Sequence, residues 1–254
     1  MRYQPMANAL MALCLLFTFG TAPSKAAAAT PESGTAGSSE VQGSGHNNGA
    51  DSRERLQLHL PSAVVLIDAG HGGIDSGTLT GTILEKDINL VIAKKLYLLL
   101  RSQGIITVLN RTGDYALSDD NRWHASSSRH RKDLSQRRQL TEEIPTELLV
   151  SLHVNWTKDR SERGPLVLHQ SSGESALLAF CIQDALNRQQ QSRTLPREGK
   201  PFYLLRRVQQ PAVIVEMGFL SNEADRHMLT DPLQQNRIAA AIASGIRQYK
   251  WLTR

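Results

Sequence analysis

Three short stretches carry residues of the kind that bind a metal ion. They are Asp68-Ala69-Gly70-His71-Gly72-Gly73, Leu84-Glu85-Lys86-Asp87 and Ser151-Leu152-His153-Val154-Asn155. Two imidazoles, one carboxylate and an open fourth position make up a common catalytic zinc site. A fourth stretch, Val215-Glu216-Met217-Gly218-Phe219-Leu220-Ser221-Asn222, brings a carboxylate that such a site does not need as a ligand. Beside a water activated by the metal, Glu216 would accept a proton and return it to a leaving amine. The pattern therefore predicts a metal-assisted hydrolase.

Each residue also has a plainer reading. A glutamate that opens a helix, as Glu85 does, is stabilised by the free N–H groups there without any metal. A lone histidine at the end of an apolar strand is usually a satisfied structural one, although an unpaired ring is costly in that position. Glu216 ends an apolar run, and the plain alternative is a buried ion pair, with Arg137 the first partner to test. Lys86 and Asp87 read as solvated. His46, His59, His124, His130, His169 and His227 have no partner motif and are set aside as ligands.

These residues need elements to position them. Val64 to Asp68 is a β-branched run ending at a Gly-rich loop and reads as a buried strand. Glu85 to Gln103 carries apolar residues at helical spacing, with Gly104 as its C-cap. Ile105 to Leu109 reads as a strand, residues 110–114 as a turn, and residues 115–132, with Trp123 and His124, as an exposed polar loop. Asp133 to Glu143 is a helix stopped before Pro145, and strands follow at Leu148 to Val154 and Leu166 to His169. Ser175 to Asn187 is an amphipathic helix. Phe202 to Arg206 and Ala212 to Val215 read as short strands, before closing helices over Asn222 to Leu229 and Leu233 to Tyr249. Strands alternating with helices predict an α/β layered domain, with the metal candidates at strand ends or helix starts.

Composition sets the setting. Residues 1–29 read as a signal peptide or N-terminal anchor: Arg2 is followed by the apolar run Ala9 to Phe19 and small residues at Ala26 to Ala29. Residues 30–60 are Gly, Ser, Ala, Asn and Glu with little apolar surface, and read as a disordered linker. Residues 61–254 suffice for one domain with a full core. Of the two cysteines, Cys14 falls in the signal, and Cys181, in an apolar-periodic stretch, reads as buried and inert. The exported domain must hold itself together without a disulfide. A net charge of +5 suits an anionic cell-surface polymer. The scattered basic residues and few aromatics argue against nucleic acid.

Taken together, the motifs resemble those of the zinc-dependent N-acetylmuramoyl-L-alanine amidases of the third amidase class. The matching residues are Asp68 to Gly73, Glu85 to Asp87, Arg111 in the Asn-Arg-Thr turn, Ser151 to Asn155 and Glu216 to Asn222, in the family's order and spacing. The resemblance implies a single three-layer α/β/α domain with a mixed sheet of about six strands. It implies one zinc ion per chain, held by His71, Glu85 and His153, with Glu216 as the catalytic carboxylate. Asn155, Arg137 and Arg111 remain candidates for contacts to the substrate or to the ligands. The bond cut would be the amide between the lactyl group of N-acetylmuramic acid and L-alanine of the stem peptide.

Within the class, the chain looks most like the germination-specific spore-cortex amidases. That likeness rests on Asp133 to Arg137, the block around Phe202 to Leu205, and Glu216 to Glu223. Roughly 60 residues separate His153 from Glu216, and ordinary strands and helices use them up, so an inserted autoinhibitory helix is not expected. The chain departs from the family at Ala69, Thr141, Glu142 and Trp156, none of which is a proposed ligand; Trp156 would reshape the glycan groove. The expected partner is peptidoglycan, met outside the cytoplasmic membrane in the cell wall or forespore intermembrane space. An activating partner protein and an N-terminal membrane anchor stay open, and a monomer is expected. The competing readings are a non-catalytic peptidoglycan-binding module and another zinc hydrolase, such as a stem-peptide carboxypeptidase.

Overall fold

The structure, a computed structural model, describes residues 63–119 and 126–253. The expected signal, the whole of the expected linker, and the loop residues Trp123 and His124 lie outside the described residues. Runs of Val, Leu and Ile form the main strands: β1 (Ala63–Ala69), β4 (Thr107–Leu109), β5 (Thr146–Asn155), β6 (Leu166–His169) and β8 (Ala212–Phe219). The two-residue strand β7 (Arg197–Glu198) completes a six-stranded sheet of order β4-β1-β5-β8-β6-β7. Every neighbouring pair is parallel except β6 with β8, so the sheet is mixed, as expected.

Helices cover both faces, and the alternation of side chains along each strand decides which helices go where. On one face Val65, Ile67, Val150, Leu152, Val213 and Val215 pack against α1 (Glu85–Ser102), α3 (Gly173–Gln190) and α6 (Pro232–Leu252). On the other, Leu66, Leu149 and Ile214 meet Leu140 of α2 (Arg129–Glu143) and Leu204 and Leu205 of α4 (Tyr203–Arg207). Burial of both faces explains why the strands read as near-continuous apolar runs. Each fully buried Leu or Ile contributes about 1.5–3 kcal/mol by its removal from water. Cys181 is buried and free. Helix starts are fixed by side chains: Ser172 caps α3, Asn222 caps α5 (Glu223–Thr230), and Asp231 caps α6 with Pro232 just inside.

Several elements differ from the reading of the sequence. Phe202 to Arg206 is not a strand; Phe202 precedes the helix α4. A run of four or five apolar residues does not distinguish the two by periodicity. The Gly-rich loop contains a small hairpin of β2 (Leu79–Thr80) and β3 (Ile83–Leu84). α2 begins at Arg129, a turn earlier than expected, with Ser128 as its cap. The polar segment before it folds inward at Ala116 and Leu117, with a 3-10 turn at Leu117–Asp119.

Candidate active site

His71 follows β1, Glu85 opens α1, His153 lies near the end of β5, and Glu216 lies in β8. The fold brings all four together toward the carboxyl ends of the inner strands β1, β5 and β8. One donor atom each from His71, Glu85 and His153 lies within 4.8 Å of the others. His71 Nε2 is 3.1 Å from Glu85 Oε1, and His153 Nδ1 is 3.1 Å from the same oxygen. A tetrahedral ion with bonds of about 2.0–2.1 Å separates its donors by about 3.3 Å, so the three atoms fit around one zinc-sized cation. All three side chains are buried.

The loop geometry explains the glycines. A Cβ on Gly70 would stand 2.4–2.7 Å from three atoms of the His153 ring, so only glycine lets that ring lie against the backbone. A Cβ on Gly77, at φ +65°, would stand 2.6 Å from both Glu85 Oε2 and the His71 ring. His71 itself sits at φ 63°, a left-handed conformation uncommon outside glycine. Strain of this kind persists where the surroundings fix it, which is common at functional sites.

Each ligand candidate is held from behind. Asp75 Oδ2 lies 2.9 Å from His71 Nδ1, which leaves Nε2 to face Glu85. Glu85 Oε2 accepts from the Thr78 backbone N–H at 2.8 Å and from its hydroxyl at 3.1 Å. Glu85 Oε1 accepts from the Val154 N–H at 3.0 Å. The first amides of α1 are taken by the loop, Glu85 N–H by the Thr78 carbonyl and Lys86 N–H by that of Ser76. The Glu85 carboxylate thus points at the imidazoles instead of capping its own helix.

Charge follows the same geometry. Burial lowers the His71 pKa, but Glu85 and Asp75 outweigh it and hold the ring at about 9. Burial opposes ionisation of Glu85, yet the two imidazoles keep it well below the usual carboxylate range. Burial holds His153 below the ordinary imidazole value. The metal-free site is therefore a positive ring beside a negative carboxylate, a proton standing where a cation fits.

Glu216 has no such satisfaction. It pairs in register with His153 across β5 and β8, and its Oε2 is buried without a hydrogen-bond partner. Burial first, and the nearby Glu85 second, push its pKa up to about 8. The ion pair with Arg137, the plain alternative for Glu216, is not formed. Arg137 Nη1 donates instead to both oxygens of Asp68, at 2.9 and 3.1 Å.

The remaining candidates sit behind the site. Arg111 is fully buried and donates to the carbonyls of Ala69, Gly70, Lys86 and Gly113. It clamps the metal loop against the start of α1. Asn155 is half-buried and accepts from the Trp156 N–H at 2.8 Å. Lys86 is not solvated, contrary to the reading of the sequence: its ammonium donates to the Gly73 carbonyl at 2.7 Å and to Asp114 Oδ2 at 2.6 Å. Asp75, which orients His71, escaped the sequence reading; its one signal was a carboxylate four residues after a histidine in a Gly-rich loop. Asp68, Ser151 and Asn110, the buried partners beneath the site, were also missed as a network.

The chain is similar to known proteins over most of its length. Residues 65–248 match the family described as N-acetylmuramoyl-L-alanine amidase. The germination-specific N-acetylmuramoyl-L-alanine amidase of Bacillus subtilis is 32% identical over 203 residues, covering 78% of this chain and 84% of that protein. The structure of the CwlD amidase of Clostridioides difficile, in complex with the GerS lipoprotein, superposes with a TM-score of 0.70 at 32% identity. It covers 75% of this chain and 100% of that one. The catalytic domain of CwlV, an N-acetylmuramoyl-L-alanine amidase from Bacillus (Paenibacillus) polymyxa var. colistinus, gives 0.64 at 30% identity, covering 74% and 97%.

Proposed function

The chain belongs to the N-acetylmuramoyl-L-alanine amidase family, and from that premise we propose that His71, Glu85 and His153 hold one zinc ion, with Glu216 as the general base. The observation that carries this reading is the juxtaposition of three convergent donor atoms with a buried, partnerless carboxylate one strand away. A zinc ion there supplies Lewis-acid activation of the substrate carbonyl and of the attacking water. The residues of the chain do the rest. Glu216 takes the proton of the attacking water and delivers it to the departing nitrogen of L-alanine. Asp75 holds the His71 tautomer, and the Thr78 and Val154 amides keep Glu85 aimed at the ion.

The substrate is the amide joining the lactyl group of N-acetylmuramic acid to the stem peptide. Likeness to the germination-specific enzyme of B. subtilis and to C. difficile CwlD supports work on spore cortex, where removal of stem peptides precedes muramic δ-lactam. Peptidoglycan lies outside the cytoplasmic membrane, and the apolar run Ala9 to Phe19 is the candidate export signal or anchor. The C. difficile enzyme was captured with a lipoprotein, which supports a partner protein for this chain too.

The test is digestion of purified peptidoglycan with mass analysis of the products. An amidase releases intact stem peptides with a new free L-alanine amine. Release of single C-terminal amino acids instead would mean a carboxypeptidase.

A further inference from the structure

A pocket of about 810 Å³ that the mechanism does not use opens at Trp156, three residues beyond His153. It is formed where the chain leaves β5, where it enters α5, and by Thr80 of the hairpin. Trp156, Lys158, Arg160, Arg163 and Arg226 line it, with Glu223 as the one lining carboxylate. Trp156 is 46% exposed.

The loop that carries Lys158, Arg160 and Arg163 is pinned, not trailing, and Arg226 stands on α5. Thr157 N–H donates to Ser221 Oγ at 3.2 Å, Asn222 Nδ2 to the Arg160 carbonyl at 2.8 Å, and Gly164 N–H to Asp225 Oδ2 at 2.8 Å. Two nearby carboxylates are spent on this framework. Asp225 also accepts from Phe219 N–H, and Asp159 accepts from Ser161. Among the described residues, none of the four cations has a carboxylate within ion-pair distance. Four like charges gathered around one concavity repel one another and raise the local concentration of anions.

We infer that this pocket is a specificity subsite for the free α-carboxylate of the second stem-peptide residue. The inference rests on the amidase reading of the adjoining site. In a stem that begins L-alanyl-γ-D-glutamyl, the chain continues through the side-chain carboxyl and leaves the α-carboxylate free. That group lies about 6 Å beyond the scissile amide, from standard bond lengths. Trp156 follows His153 by three residues, just past the end of β5, so at most about 10 Å of chain separates them, a span that long basic side chains from the loop can cross. An arginine fork binds a carboxylate through two parallel hydrogen bonds and binds a neutral amide poorly. The Trp156 indole offers an apolar wall against the methylenes of the same residue.

The experiment measures binding to the zinc-loaded full chain by calorimetry. The probes are the dipeptide L-alanyl-D-glutamate with its γ-carboxyl capped as an amide, and the same compound with its α-carboxyl amidated as well; neither contains the scissile bond. The carboxylate form should bind about tenfold more tightly than the amide, and more weakly as salt is added. In the Arg160→Gln/Arg163→Gln double variant, both on the exposed loop, that preference should shrink to less than about threefold. Equal affinity for the two dipeptides, no detectable binding of either, or a preference unchanged in the variant overturns the subsite. Because binding needs no turnover, the two readings fail separately. Discrimination without cleavage of peptidoglycan would sink the amidase reading alone, and cleavage without discrimination would sink the subsite alone.

Discussion

His153 and Glu216 occupy one rung of the parallel pair β5–β8. In adjacent parallel strands, residues in register point to the same side, so the ligand and the base are delivered together. A slip of one residue would turn Glu216 into the apolar layer beneath α3 and α6, where Val215 and Met217 now pack. The register that fills the core is thus the one that assembles the chemistry.

Glu216→Gln tests the division of labour. The amide fills the same space and leaves the three donor atoms in place, so fold and zinc content should be unchanged. Turnover should fall by about 10²–10⁴-fold, the usual worth of a positioned acid–base group. Metal analysis and product release measure the two halves. Substantial activity in this variant would assign the base elsewhere.

Gly70→Ala tests the packing of the ligand ring. The added Cβ meets the His153 imidazole below any normal contact distance, so the ring has to move. Zinc affinity should drop about 10–100-fold, as when a ligand loses its support. Gly173→Ala, at the start of α3 where a Cβ meets nothing, should bind zinc as the parent does. Equal zinc affinity in the Gly70 variant would mean the ring is not constrained from that side.

The pH dependence should differ between the metal-free and loaded proteins. His71 is raised from 6.5 to about 9, although burial alone would lower it, because Glu85 and Asp75 favour its charged form. Glu216 is raised from 4.5 to about 8, by burial first and Glu85 second. Groups raised in the fold contribute stability below their unfolded pKa and lose it as pH climbs through the folded one. Melting temperature of the metal-free protein should therefore fall between about pH 7 and 9. Zinc must displace the His71 proton, so its affinity should rise over the same window. Thermal melts with and without a chelator measure this; a metal-free protein that gains stability across that range would contradict it.

The pair Asp68–Arg137 holds the floor of the site. Both side chains are fully buried, and Asp68 also receives the Ser151 hydroxyl and Asn110 Nδ2. Arg137→Ala leaves that carboxylate without its cation, a loss of about 3–5 kcal/mol for a broken buried pair. Urea unfolding should show it directly. A change below about 1 kcal/mol, the value of an exposed pair, would mean that water has replaced the guanidinium.

How much of this could be read beforehand depends on the distance along the chain. His71, Glu85, His153 and Glu216 each sit in a short segment with its own signal, a glycine run, a helix start or an apolar strand. The layered fold followed from the alternation of such segments. Arg137 was visible as a candidate partner for Glu216 and as a candidate contact to the substrate or ligands, but nothing local tells a buried arginine which of two carboxylates it will meet. Its actual partner, Asp68, is 69 residues away. Lys86 misled for a similar reason: a charged residue in polar surroundings reads as solvated, yet here it satisfies a loop carbonyl. Arg111, a candidate for contacts to the substrate or to the ligands, likewise satisfies carbonyls that the curled backbone leaves pointing inward. Short elements such as α4 carry too few residues for either period to declare itself.

The most direct test is a zinc titration of the chelated protein, following release of stem peptides from peptidoglycan in the parent and in His153→Ala. The account predicts that activity in the parent returns in proportion to zinc and saturates at one ion per chain. The variant should stay inactive and retain no ion. Full activity in the chelated parent, or saturation at one ion per chain in the variant, would contradict the site assigned to His71, Glu85 and His153.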